Sequence, residues 1–95
     1  MTAREFTHEP DANRYTMKVG GERVCIVDYS INNNAIALTR TFTPPPHRGK
    51  GYAGELVEHV VNEIETTTQY RVVPACWYVS DWFERYPERA GILAR

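Results

Sequence analysis

The stretch that decides the fold lies at the centre of the chain and reads Pro44-Pro45-Pro46-His47-Arg48-Gly49-Lys50-Gly51-Tyr52-Ala53-Gly54. The prolines end the strand before them, because proline cannot donate a hydrogen bond to a β-ladder. The glycines stand where a helix begins, and the first amides of a helix have no partner within it and lie at the positive end of its dipole. Glycine lets a ligand approach the backbone, and Arg48 and Lys50 add positive charge. The stretch therefore predicts a phosphate-binding turn at a helix N-terminus.

The residues after this turn carry the pattern of an amphipathic helix. Thr66, Thr67 and Thr68 form a poor helix interior, so we expect the helix to end there. A short buried strand over residues 70–75 and an aromatic helix over residues 77–85, closed by Pro87, are expected to follow. The apolar side chains of the first helix recur at helical spacing, at Ala53, Leu56, Val57, Val60, Val61 and Ile64.

Three runs with strand character precede the turn, over residues 14–19, 23–31 and 35–43. Gly20-Gly21 separates the first two runs, and Asn32-Asn33-Asn34 separates the last two. Short turns of this composition join antiparallel strands. The predicted order is β-β-β-α-β-α, an α+β fold in a single domain over residues 1–95. The strand–helix–strand passage sets two parallel strands side by side, so the sheet is expected to be mixed and mostly antiparallel.

Composition argues against several classes of protein. The 95 residues carry 11 basic and 12 acidic side chains, and this balance gives no reason to expect a nucleic-acid partner. No segment reaches the ~18–20 apolar residues of a membrane-spanning helix, and the N-terminus lacks the apolar core of a signal peptide. Two cysteines without metal-type spacing favour a reducing compartment. We therefore expect a cytoplasmic protein without a metal, as a monomer or weak dimer.

Other nucleotide-binding motifs fit the turn less well. Residues 49–54 satisfy the GxGxxG pattern of dinucleotide-binding domains, but that pattern needs an acidic residue about 20 positions further on. The chain has Val73, Pro74 and Ala75 there. The mononucleotide P-loop fails because no Gly-Lys-Ser/Thr occurs. A helix start that binds nothing stays open as the plain alternative, although it does not explain why basic residues and glycines cluster.

A more specific resemblance rests on three pieces of sequence. Residues 48–53 match Arg/Gln-x-x-Gly-x-Gly/Ala, the pyrophosphate signature of the GNAT superfamily of acyl-CoA-dependent N-acetyltransferases. More narrowly, the chain resembles the very small single-domain GNAT-like proteins. They share the run over residues 45–53, the Val-Pro-x-Cys at residues 73–76, and the Pro-Glu at residues 87–88. The resemblance covers nearly the whole chain from residue 13.

The resemblance implies an acetyl-CoA-dependent N-acetyltransferase that acts on an amine not identifiable from the sequence. It implies that the amides after Arg48 hold the CoA pyrophosphate, that the third predicted strand bonds the pantetheine arm, and that the parallel strands splay to admit this arm. A non-catalytic acyl-CoA-binding module and a cofactor-free interaction domain are the alternatives. The expected binding residues for acetyl-CoA or CoA are Thr41, Phe42, Thr43, Arg48, Gly49, Lys50, Gly51, Tyr52, Ala53 and Gly54.

The catalytic groups are less well defined. Many GNAT enzymes place a tyrosine on the last helix as the acid for the leaving thiol, and Phe83 stands at the matching position here. This departure leaves Tyr78, Tyr86, water or Cys76. Cys76 is the candidate catalytic residue, as a nucleophile activated by the helix that follows it, and its alternative is a buried apolar cysteine. Cys25 is expected in the core. Glu9, Asp28 and Glu84 are candidates for attracting or deprotonating an amine, and His47 for phosphate binding or a solvated loop.

Overall fold

The computed structural model describes residues 3–95 and contains one five-stranded sheet. Its strands are β1 (Arg4–Glu9), β2 (Arg14–Val19), β3 (Glu22–Asn32), β4 (Ala35–Phe42) and β5 (Arg71–Val73). Its helices are α1 (Tyr52–Thr67) and α2 (Trp77–Arg85), with 3-10 turns at Pro10–Ala12, Pro45–His47 and Pro87–Leu93. The strands lie side by side in chain order, antiparallel except for the parallel pair β4–β5. The predicted mixed, mostly antiparallel α+β fold is confirmed.

The predicted order lacked one strand, β1. Its sequence is polar apart from Phe6, so it has none of the apolar alternation that marks a strand. Contacts with α1 hold it instead. The Phe6 ring stacks on His59 with centroids 4.3 Å apart, and Arg4 Nε donates a hydrogen bond to the Glu55 carboxylate at 2.7 Å. Pairing with β2 and contacts with the helix, rather than a pattern of its own, define β1.

Both helices cover the same face of the sheet. α1 packs on β2 and β3, and α2 packs on α1 and β4. Their buried side chains form one core with the strands, and the largest fully buried members are Met17, Leu38, Leu56, Ile64 and Ile92. The opposite face, called here the open face, is covered by neither α1 nor α2. Within residues 3–95, no helix is long and apolar enough to cross a membrane.

The parallel strands β4 and β5 part after three residues. Ala35, Ala37 and the residue between them pair with β5, which ends at Val73 just before Pro74. β4 continues to Phe42, so its edge from Leu38 onward has no strand beside it among the described residues. Proline cannot extend the ladder, which accounts for the end of β5. The ladder between the two strands thus ends there, and the splay that the resemblance implied stays a prediction.

A register shift marks the start of this unpaired edge. Asp28 of β3 lies opposite Arg40, whereas the next residue of β3, Tyr29, lies opposite Leu38. Thr39 is therefore an extra residue on β4, the arrangement of a β-bulge.

A guanidinium closes the far end of α1. Arg95 donates hydrogen bonds to the carbonyl oxygens of Ile64 at 2.9 Å, Thr68 at 2.6 Å, Tyr70 at 2.7 Å and Glu65 at 3.2 Å. The last carbonyls of a helix have no partner within it and lie at the negative end of its dipole. Arg95 therefore acts as a charged C-terminal cap that also ties α1 to the approach to β5.

Candidate functional site

The turn between β4 and α1 has the backbone of an anion cradle. Gly49 and Gly51 have φ angles of 80° and 81°, in the left-handed region that favours glycine. The first backbone bond of the helix runs from the Glu55 amide to the Gly51 carbonyl at 3.2 Å. The amides of residues 52–54 therefore have no partner within the helix. A Cβ at either glycine would meet no atom within 4 Å, so the space beside both glycines is open.

Two side chains tie the turn to the sheet. Arg48 Nε donates a hydrogen bond to the Thr43 carbonyl at 2.9 Å, which fixes the turn to the end of β4. His47 Nε2 lies 3.0 Å from the Glu22 carboxylate, which joins the other side of the turn to the start of β3. His47 was predicted to be either a phosphate ligand or a solvated loop residue. The structure gives it a tethering contact at the edge of the site.

A groove of about 370 Å³ runs from this turn along the end of β4 to the N-terminus of α2. Eight of the ten predicted cofactor-binding residues line it, and Lys50 and Gly54 do not. The structure adds His47, which the sequence named as a possible phosphate ligand, and Trp77 and Tyr78, which the sequence did not assign to the cofactor. Trp77 is 74% exposed, which is rare for a tryptophan. Its position directly after Cys76 is the one hint in the sequence that it belongs to the site. The eight shared lining residues are Thr41, Phe42, Thr43, Arg48, Gly49, Gly51, Tyr52 and Ala53.

Cys76 lies where the unpaired edge of β4 meets α2. It is the residue immediately before the first turn of that helix, and its Sγ lies 3.7 Å from the Thr41 hydroxyl. Burial raises the pKa of its thiol, but hydrogen bonds from Thr41 and from the backbone at Val79 and Tyr78 outweigh burial, and the pKa lies below that of an ordinary cysteine. The Thr41 hydroxyl and the backbone at the start of α2 thus make this thiol more acidic than an ordinary cysteine.

Cys25 provides an internal comparison. Its Sγ lies 3.3 Å from the Thr43 hydroxyl, but burial dominates and raises the pKa of the thiol. The side chain is fully buried, which confirms the prediction of a core cysteine. The two thiols face the hydroxyls of Thr41 and Thr43, and the pKa is lowered at Cys76 and raised at Cys25.

The candidate acids for the leaving thiol lie in different parts of the structure. Phe83, at the position of the usual catalytic tyrosine, is buried in the core. Tyr86 is 41% exposed and faces a separate surface groove between α1 and α2. Tyr78 lines the candidate groove, and its hydroxyl lies 3.4 Å from the position that a Cβ on Gly54 would take. Burial, and then the nearby Cys25, raise the pKa of Tyr78, so its hydroxyl stays protonated at neutral pH.

The carboxylates named as candidates do not enter the groove. Asp28 lies on the open face, where Arg14 Nε is 2.7 Å away and Arg40 is 3.8 Å away. Glu9 accepts a hydrogen bond from the Thr16 hydroxyl. Glu84 is exposed on α2. None of the three lines the groove or approaches Cys76 closely enough for a described hydrogen bond.

Comparison with known proteins agrees with this geometry. The family model for the GCN5-related N-acetyltransferase domain matches residues 14–92 of the 95-residue chain. The matched region includes β2 to β5, the glycine turn, both helices and Cys76. No curated protein matches the chain significantly. The family match spans most of the sequence, and the chain belongs to the GCN5-related N-acetyltransferase family.

Proposed function

We propose that this chain transfers an acetyl group from acetyl-CoA to an amine. The family match supports acyl transfer in general, and the cofactor and the amine are our proposal. The observation that carries it is the continuity of the groove. It joins a cradle of free amides at α1 to an unpaired strand edge on β4, and its lining residue Thr41 contacts the thiol of Cys76, whose pKa is lowered.

The cradle suits a pyrophosphate. The free amides of the first helical turn and the helix dipole attract anions, and Arg48 at the rim adds a fixed positive charge. The Tyr78 hydroxyl lies against the same turn near Gly54 and retains its proton, so it is placed to donate to a phosphate oxygen. On this geometry Tyr78 serves the cradle rather than the acyl end. The groups that would contact the phosphate are backbone N–H donors, which bind phosphate directly at a helix start.

The unpaired edge of β4 suits the pantetheine arm. An edge strand presents free N–H and C=O groups, which pair readily with another extended chain. The arm of CoA contains two amide groups and is itself extended, so the edge beyond Leu38 offers it ladder-like hydrogen bonds. Acetyl-CoA supplies the activated acyl thioester for the reaction.

Cys76 is the residue that we assign to the chemistry. Its thiolate is stabilised by the hydroxyl of Thr41 and by amides at the start of α2, and a thiolate rather than a thiol is the nucleophile. The next residue, Trp77, is exposed and lines the groove. A positioned nucleophile with a lowered pKa is the arrangement that acyl transfer through cysteine requires.

Thermal unfolding with and without CoA tests the cradle. Ligand at 100 times its dissociation constant should add about 2.7 kcal/mol to the free energy of unfolding. We expect Arg48→Ala to reduce this gain. Arg23→Ala, an exposed arginine of β3 outside the groove, should keep it. Absence of any CoA-dependent shift in the unaltered protein would refute the proposal.

Incubation with radioactive acetyl-CoA tests the chemistry. Label should appear on the protein and vanish in Cys76→Ala, while Cys25→Ala should keep it. If CoA stabilises the protein but acetyl-CoA yields neither labelled protein nor free CoA, the chain is a non-catalytic acyl-CoA-binding module.

A further inference from the structure

His47 and Glu22 form a contact at the edge of the groove, called here the rim pair. His47 Nε2 lies 3.0 Å from the Glu22 carboxylate, and the two side chains are 15% and 70% exposed. His47 is the last residue of the 3-10 turn Pro45–His47 and lines the groove, whereas Glu22 begins β3. An imidazole with its own carboxylate partner thus lies beside the turn that the proposed function assigns to a phosphate.

Charged and titratable side chains approach the His47 ring from several elements. The Tyr52 ring of α1 lies beside it, with centroids 6.4 Å apart. Of the side-chain types around this ring, only imidazole ordinarily changes its charge between about pH 5 and 8. The charge of the rim therefore varies in this range through His47. The neighbouring groups are Glu22 on β3, Arg48 and Lys50 in the glycine turn, and Tyr52, with the ion pair of Arg4 and Glu55 beyond it.

Protonation of His47 changes the net charge of the rim pair from negative to zero. While the imidazole is neutral, the Glu22 carboxylate is uncompensated and repels an anion in the groove. Once the imidazole is charged, the carboxylate is paired and this repulsion is removed. The pair need not touch the ligand, because His47 lines the groove and charges less than about 8–10 Å apart interact at physiological salt.

We propose that the rim pair makes cofactor binding proton-dependent, so that acyl-CoA binds more tightly as the pH falls and His47 becomes charged. The inference rests on the proposed function, because it needs a pyrophosphate at the glycine turn. The coupling is reciprocal. If protonation of His47 tightens binding by a given factor, the bound anion raises the affinity of the ring for a proton by the same factor.

Dephospho-CoA is the probe that isolates this effect, because its pyrophosphate is a diester and does not titrate near neutral pH. CoA carries in addition a phosphate monoester with a second pKa of about 6, which adds a pH dependence of its own. Calorimetric titrations at about pH 5.5 and about pH 8, at constant ionic strength, give the two dissociation constants. We expect the Kd of the unaltered protein to be about three- to tenfold higher at the higher pH. Cys76→Ala should show the same dependence, which excludes the thiol as its source.

Variants assign the effect to the rim pair. His47→Gln should bind dephospho-CoA equally well at both pH values, whereas His59→Gln should keep the dependence, because His59 stacks on Phe6 outside the groove. Glu22→Gln removes the carboxylate, so it should tighten binding at both pH values and keep the dependence. Glu84→Gln, at an exposed position of α2 outside the groove, should leave Kd unchanged. The same difference between the unaltered protein and His47→Gln is expected with CoA.

An NMR titration of the His47 ring gives a second readout. Saturation with dephospho-CoA should move the midpoint of this titration to higher pH by the factor that the dissociation constants give. The inference fails if dephospho-CoA or CoA binds and His47→Gln keeps the pH dependence of the unaltered protein, or if the bound ligand leaves the titration of the ring unchanged. Absence of binding by both ligands at both pH values would instead refute the proposed function, and the inference with it.

Discussion

Substitution of Gly51 by alanine separates backbone strain from ligand binding at the glycine turn. The φ angle of Gly51 is 81°, and an added Cβ would meet no atom within 4 Å. The cost is therefore conformational and not steric. A non-glycine residue in the left-handed region costs about 1–2 kcal/mol. For a domain of this size, each kcal/mol lowers the melting temperature by about 4–8 °C.

Gly51 lines the groove, and an added Cβ would occupy open space beside the turn, where the proposed function puts a phosphate. A hundredfold loss of CoA affinity would cut the ligand's contribution to the free energy of unfolding from about 2.7 kcal/mol to about 0.4 kcal/mol at the original CoA concentration. Gly21 offers a matched control, because its φ is 83° and its Cβ would also meet nothing within 4 Å. Gly91→Ala adds a methyl in open space without a positive φ.

Thermal or chemical unfolding of the three variants, each with and without CoA, is the measurement. We expect Gly51→Ala and Gly21→Ala to lose similar stability without ligand, and only Gly51→Ala to lose the response to CoA. Gly91→Ala should stay within about 0.5 kcal/mol of the unaltered protein. Equal CoA responses in Gly51→Ala and Gly21→Ala would refute the assignment of the turn as the cradle. A cost for Gly51→Ala no greater than that for Gly91→Ala would refute the strain argument.

Two further predictions concern the cap of α1 and the thiols. Arg95→Ala should lower the free energy of unfolding by about 1–2 kcal/mol in urea titrations, because it removes hydrogen bonds to carbonyls at the end of α1. The control Arg23→Ala should change this free energy little. Equal effects of the two substitutions would contradict the capping role. Iodoacetamide should alkylate Cys76 at lower pH than Cys25 in the folded protein, and mass spectrometry across a pH series measures this. The reason is that the pKa of Cys76 is lowered and that of Cys25 is raised, so the Cys76 thiolate forms first as the pH rises. Modification of both thiols with the same pH dependence would contradict the ionisation of Cys76.

Periodicity and turn chemistry predicted most of the framework. The antiparallel meander, α1 and α2 follow from local patterns that the tertiary structure keeps. β1 did not follow, because its polar side chains become strand residues through pairing with β2 and contact with α1. β5 is shorter than the predicted run over residues 70–75, because Pro74 ends the ladder.

The candidate site was likewise predicted only in part. The turn from Arg48 to Ala53 is contiguous in sequence, so its motif was visible. Trp77 and Tyr78 join the groove from α2, a segment that meets the glycine turn only in the fold. No local pattern links these two residues to the turn, so this part of the lining is a property of the fold and not of any motif.

Pairing with β3 determines which chemistry each face of β4 presents beyond the extra residue Thr39. There, Thr41 turns toward Cys76 on the helical side, and Arg40 lies over the Phe42 ring on the other side, with its guanidinium carbon 5.0 Å from the ring centroid. Removal of Thr39 would leave both sets on their present faces, because side chains alternate along a regular strand and Arg40 would keep its place opposite Asp28. A chain that lacks this one residue should thus keep the Thr41 hydroxyl beside the thiol.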